Sequence, residues 1–390
     1  MKLSNRLTHL LPGGDDGWGL FLRSREMIAA GHPVTELTIG EHDIRTDPAI
    51  LEAMQTAAVG GHTGYASVPG TTELRRIVAD RVTSRTGVPT GPENVLITPG
   101  GQAALFAAHI AAVNPGDRAA FIDPYYATYP GTIRSAGAIP VPIATRSSDA
   151  FQPTQAALDA ALPGCGSLLV NTPNNPTGVV YDSTTVDRIC QAAQDHDCWL
   201  ISDEVYDTQI WHGVHISPRS VPGMADRTLV IGSMSKSHAM TGSRIGWIVG
   251  PQDVIEHLTN LATHTTYGVA GFIQDAAVYA LTAGQELEDR IGAPFQRRRA
   301  LAIPVINAQN IVRLVPSGGA MYLMLDVRAT GMSGEAFAQS LLDTHLIAVM
   351  PGESFGQAAA GHIRVAMTTD DDAFVRAIET LVAHAATLVA

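Results

Sequence analysis

Cysteine, basic residues and long apolar runs are all scarce in this chain of 390 residues. The three cysteines, Cys165, Cys190 and Cys198, are odd in number and stand at no metal-ligand spacing. That pattern argues against a disulfide framework or a zinc site and points to buried thiols. Lys and Arg number 25 against 37 Asp and Glu, a formal net charge of -12. The clustered cations that a phosphate backbone demands are therefore missing, and no nucleic-acid partner is expected. The one basic run, Arg297, Arg298 and Arg299, reads as a solvated helix face. No stretch stays apolar long enough to span a bilayer, and residues 13–16, a Gly-Gly-Asp-Asp turn, come before any apolar signal segment develops. The expectation is a cytoplasmic protein with no membrane association. The 14 histidines are scattered, and His212 and His215 have no carboxylate at ligand spacing, so no metal is expected.

What the chain does have is bulk. With 45% hydrophobic residues it can bury a large core, and its length favours two domains. Asp47-Pro48 reads as an N-cap with proline at the first helical position, and Gly60-Gly61 ends that helix. From residue 94 onward apolar strands alternate with helices through residue 249. Strands that are apolar throughout imply a largely parallel sheet covered on both faces, with ligands beyond its carboxyl edge. Past that point the pattern becomes a long helical region, an antiparallel pair at residues 313–315 and 320–326, and further mixed elements. That predicts a smaller α+β domain.

Chemistry concentrates after the strand at residues 229–231, where Ser233, Ser235 and Lys236 precede Arg244. A lysine just past a buried strand, among small residues, loses hydration as an ammonium, so its neutral amine can attack a carbonyl and form a Schiff base. The two hydroxyls and the planar cation suit a phosphate dianion. Another anion site is readable at Gly100-Gly101-Gln102-Ala103, where glycines open a helix and leave N–H groups free at its positive end. Neither the spacing of a P-loop nor a G-x-G-x-x-G fingerprint is present. Two more segments follow apolar strands: Asn171-Thr-Pro-Asn-Asn175-Pro-Thr-Gly178, and Asp203-Glu-Val-Tyr206.

Together these motifs resemble the class I and II aminotransferases, the aspartate aminotransferase family of fold type I enzymes, across nearly the whole chain. The resemblance departs at Thr172, where the family pattern has Asn. It implies a large domain (46–283) with a mostly parallel sheet between helices, and a small domain (284–390) joined by an arm (1–45). It also implies pyridoxal 5′-phosphate as cofactor, amino-acid and 2-oxo-acid substrates, and a homodimer with shared sites. By the same resemblance, Lys236 forms the Schiff base and moves the proton, Asp203 pairs with the pyridinium nitrogen, and Tyr206 and Asn175 bond the ring 3-oxygen. Tyr126 stacks on the ring, with Tyr125 as its rival one residue away. Gly101, Gln102 and Ala103 join Ser233, Ser235 and Arg244 around the phosphate, and Tyr65 reaches the phosphate of the partner subunit. Arg364 grips the substrate α-carboxylate, with Asn175 and the backbone at Gly40 also on the substrate.

Two departures bear on substrate. His42 stands where many relatives have Pro, and Ser243 where many have Trp. No residue is assigned to a second substrate carboxylate, with His42, Tyr65 and Tyr267 as candidates. The same residues would also serve a β-lyase or synthase. A non-catalytic cofactor-sensing domain is a further alternative, without a basic helix-turn-helix segment to support it.

Overall fold

A computed structural model describes residues 1–11 and 17–389. The glycine-rich turn expected at 13–16 lies outside the described residues. Among the described residues, two sheets organise the chain. The larger contains β2 (Val95–Thr98), β3 (Arg118–Asp123), β4 (Ile139–Ala144), β5 (Cys165–Asn171), β6 (Trp199–Asp203), β7 (Thr228–Ser233) and β8 (Gly246–Val249). Their order is β2-β8-β7-β6-β5-β3-β4. β3 to β7 pair in parallel, and only β8 runs against its neighbours β7 and β2.

The apolar strands face helices on both sides, as the sequence implied. On β5, Leu168 and Val170 pack into one core cluster and Leu169 into another, each fully buried. A buried side chain of this size contributes about 1.5–3 kcal/mol, so both faces must stay covered. The helix Pro48–Val59 starts where its cap predicted, with Asp47 accepting from the N–H of Ala49 at 2.9 Å.

The second sheet draws strands from both ends of the chain: β1 (Thr35–Leu37), β9 (Arg313–Leu314), β10 (Tyr322–Asp326), β11 (Ile347–Pro351) and β12 (His362–Ala366), in the order β1-β11-β12-β10-β9. β1 stops at Leu37. The next carbonyl, that of Thr38, leaves the ladder to accept from Arg364.

The basic run at 297–299 is a solvated face only in part: Arg297 is exposed and Arg299 half-buried. Arg298 is buried inside the helix Gln285–Asn307, where it binds Asp43 at 2.6 Å, Asp371 at 3.0 Å and the Met367 carbonyl at 2.9 Å. Sequence periodicity could not reveal this, because its acidic partners lie far away in the chain. The cysteines are free buried thiols, and no group among the described residues could hold a metal ion. No described helix is long and apolar enough to cross a membrane.

Candidate active site

Parallel register aligns the polar ends of the central strands. Asn171 lies opposite Asp203, and Asp203 opposite Ile231, two residues before Ser233. Beyond these ends lies a cavity of about 300 Å³, which Tyr322, Arg364, Ile39 and Gly40 also line. Of the site residues expected from sequence, all but Ala103 and Tyr65 line it. Ala103 sits one position further along its helix, half-buried. Tyr65 is 91% exposed, its ring edge-on to that of Tyr267 at 5.1 Å.

Lys236 emerges from a short helical turn, Met234–Ser237, that Ser233 caps by accepting from the N–H of Ser235 at 3.1 Å. Its amine donates to the Gly40 carbonyl. Burial brings the Lys236 amine down to about 8; Glu41 opposes that shift, and Arg364 and Arg244 add to it. Part of the population is then neutral at physiological pH, which a nucleophilic lysine requires.

Asp203 is buried at the end of β6. Its carboxylate accepts from the Tyr129 hydroxyl at 2.6 Å and from the N–H of Val205 at 3.3 Å. Burial lifts its pKa to about 6, and no cation of the described residues is among the groups acting on it. A buried carboxylate without a countercharge is costly. It fits a ligand that brings a cationic ring nitrogen.

Gly101 and Arg244 line the same cavity. Gly100 caps the helix Gly101–Ala112 at φ +81°, and a Cβ there would come within 2.5 Å of the Arg244 guanidinium. Glycine is thus needed for the arginine to lie against the helix start. Arg244 itself holds φ 50°, a conformation uncommon outside glycine. A guanidinium placed at the positive end of a helix repels it unless an anion lies between, so the pair fits a phosphate.

Arg364 is 1% exposed, and its guanidinium lies 4.5 Å from the Tyr322 ring and 4.3 Å from the Phe355 ring. It donates to Asn175 Oδ1 at 3.0 Å and to the Thr38 carbonyl, while its Nε has no partner. Its neighbours in charge are tyrosines, with no carboxylate of the described residues among them. An unpaired buried guanidinium fits a carboxylate that arrives from outside. Gly40 is required here as well, because a Cβ on it would collide with the Tyr322 hydroxyl.

A sequence profile described as "Aminotransferase class I and II" matches residues 32–381. The chain belongs to that family. It is 38% identical over 369 residues to the arginine–pyruvate transaminase of Pseudomonas aeruginosa, covering 94% of each. It is 33% identical over 361 residues to the aspartate/prephenate aminotransferase of Thermus thermophilus, covering 92% of each. The solved aspartate aminotransferase of Thermus thermophilus with maleate superposes with a TM-score of 0.91 at 31% identity, over 98% of this chain and 100% of that one. The aromatic aminotransferase of Pyrococcus horikoshii gives 0.87 at 29% identity, over 94% and 100%. The fold is accordingly that of the fold type I aminotransferases, and this aminotransferase works with pyridoxal 5′-phosphate.

The structure separates the paired candidates. Tyr126 lines the cavity, whereas Tyr125 packs on Phe121 with ring centroids 4.8 Å apart. His42 does not line it. The imidazole is buried edge-on to Phe295, and burial together with the Lys236 charge pulls its pKa to about 3, so it is no cation for a second carboxylate. Sequence reasoning gave no role to Tyr129, Asn171 or Tyr322, all on the cavity wall. Asn171 carried a readable signal, a polar residue ending an apolar strand as Asp203 does. Tyr129 and Tyr322 carried none, since an aromatic in a helix or strand reads as core.

Proposed function

We propose that this aminotransferase moves an amino group from a monocarboxylic amino acid to a 2-oxo acid in the cavity beside Lys236. One observation supports the reading most. A partly neutral amine and a buried guanidinium that has no carboxylate partner and a free Nε open on the same small cavity as the Asp203 carboxylate and Arg244. When bound, pyridoxal 5′-phosphate supplies an aldehyde carbon for an amine to attack and a ring that withdraws electrons.

Lys236 is assigned as the covalent anchor and, once released, as the base that carries a proton between the substrate Cα and the cofactor. Asp203, steadied by Tyr129, keeps the ring nitrogen protonated. Tyr206 and Asn175 hold the ring 3-oxygen, and Tyr126 covers a ring face. Ser233, Ser235, Arg244 and the backbone of Gly101, Gln102 and Ala103 hold the phosphate. Arg364 holds the α-carboxylate, beside Gly40. Drawing Arg364 and the arm toward Lys236 would exclude water and align the reacting bond. The exposed Tyr65 is assigned to the partner's site in a homodimer. Three unpaired thiols suit the reducing cytoplasm.

Once Arg364 and Arg244 are committed, the described cavity lining offers no further arginine or lysine besides Lys236. Within one subunit that leaves no cation to pair a second carboxylate, which favours donors other than aspartate and glutamate. Arginine, the donor named for the Pseudomonas relative, is the first to test. The test is a half-reaction screen with each amino acid alone, followed by the absorbance of the cofactor-loaded enzyme. Complete conversion to the amine form, with release of the matching 2-oxo acid, is expected. Ammonia and pyruvate from a β-substituted donor, without such conversion, would replace transfer by elimination.

A further inference from the structure

Tyr322 stands between two groups that the proposed function treats separately. Its hydroxyl lies 2.9 Å from that of Tyr206, and Asn175 Nδ2 approaches it at 3.5 Å. Its ring carries the Arg364 guanidinium at 4.5 Å. The residue is 2% exposed, and the absence of a side chain at Gly40 makes room for its hydroxyl. We propose that Tyr322 is a positioning residue that holds the ring-oxygen donor Tyr206 and the carboxylate-binding Arg364 in one rigid unit.

The direction of the hydrogen bond follows from proton counting. Tyr206 has a single hydroxyl proton, and bonding to a cofactor oxygen uses it. Tyr322 must then donate to Tyr206, which makes the Tyr206 hydroxyl a stronger donor in turn. The ring acts on Arg364 differently. Flanked by Tyr322 and Phe355, the guanidinium cannot rotate away from the cavity, and the aromatic faces partly offset its lost hydration. The other titratable groups facing the Tyr206–Tyr322 pair are Tyr126, Tyr129 and Arg364, with Lys236 and Asp203 lining the same cavity.

The inference rests on the reading that Tyr206 bonds the ring 3-oxygen, and the experiment separates the two. The cofactor-loaded enzyme is titrated with pH while its absorbance is followed, without substrate. Donation from Tyr206 favours the proton-poor form of the bound cofactor, so weakening it moves the midpoint upward. Tyr322→Phe, which keeps the ring, should raise the midpoint by about half to one pH unit. Propionate, a carboxylate with no amine, should bind Tyr322→Phe within about twofold of wild type and Tyr322→Leu about tenfold more weakly. In Tyr206→Phe, adding Tyr322→Phe should move the midpoint no further. If Tyr206→Phe moves the midpoint and Tyr322→Phe does not, or if their shifts simply add, the positioning role is overturned. If Tyr206→Phe itself moves nothing, the assignment of Tyr206 fails instead. Should Tyr322→Leu not fold, the Tyr322→Phe titration and the double variant still decide.

Discussion

The Tyr129 hydroxyl donates to Asp203 Oδ2 at 2.6 Å, a bond between residues 74 positions apart. It favours the charged carboxylate against the burial that lifts its pKa to about 6. Asp203→Asn should therefore keep the fold and lower turnover by about a hundredfold or more, because an amide cannot stabilise a protonated ring nitrogen. Tyr129→Phe should cost about tenfold, the scale of one hydrogen bond to a charged group. Steady-state rates check both, and a near-normal Asp203→Asn would end the assignment.

Lys236 gives a pH prediction. Its ammonium is disfavoured by burial, so the neutral amine forms near pH 8 instead of the usual 10.5. Below that midpoint the ammonium has no lone pair for attack; above it the amine is free. The rate at which cofactor-free protein takes up pyridoxal 5′-phosphate should thus rise with pH and reach half its plateau near 8. Stopped-flow absorbance measures it. Borohydride should then label Lys236 in the wild type and nothing in Lys236→Ala.

For Arg364→Lys, the amino-acid KM should rise by about ten- to a hundredfold while cofactor affinity changes by less than about twofold. A point ammonium cannot reproduce a bidentate fork. Equal losses in both would mean that the arginine serves the fold and not the carboxylate.

Arg298 bridges Asp43 and Asp371, the latter at the start of the helix Asp371–Thr387. Arg298→Ala leaves Asp43 without its hydrogen-bonded cation and Asp371 with Arg297 alone, and should cost about 2 kcal/mol, less than breaking a fully buried pair. The urea midpoint should fall accordingly. An unchanged midpoint would show that the bridge adds nothing to stability.

Tyr65 tests assembly. In a symmetric dimer with shared sites, Tyr65→Asp and Lys236→Ala are each nearly inactive, yet a hybrid of the two contains one site with both residues intact. Subunit exchange should restore about half of wild-type activity per hybrid dimer by that site count. No recovery, with exchange shown by mass spectrometry, would place Tyr65 outside the partner's site.

Local chemistry made much of this protein legible from its sequence. Apolar strand runs, the Asp47 cap and the motifs after β5, β6 and β7 are short-range patterns, and they dictate which residues end strands and which turns carry polar groups. A parallel sheet then gathers those ends, so Lys236, Asp203, Asn175 and Arg244 meet at one cavity. What tertiary structure alone decided involves partners distant in the chain. Arg298 looked solvated until Asp43 and Asp371 folded around it. His42 looked like a pocket residue until Phe295 covered it. Tyr129 and Tyr322 looked like core aromatics, because nothing in a tyrosine's own neighbourhood says whether its hydroxyl will find Asp203 or Tyr206. Periodicity reports which face of an element is buried, and only packing determines what that face meets.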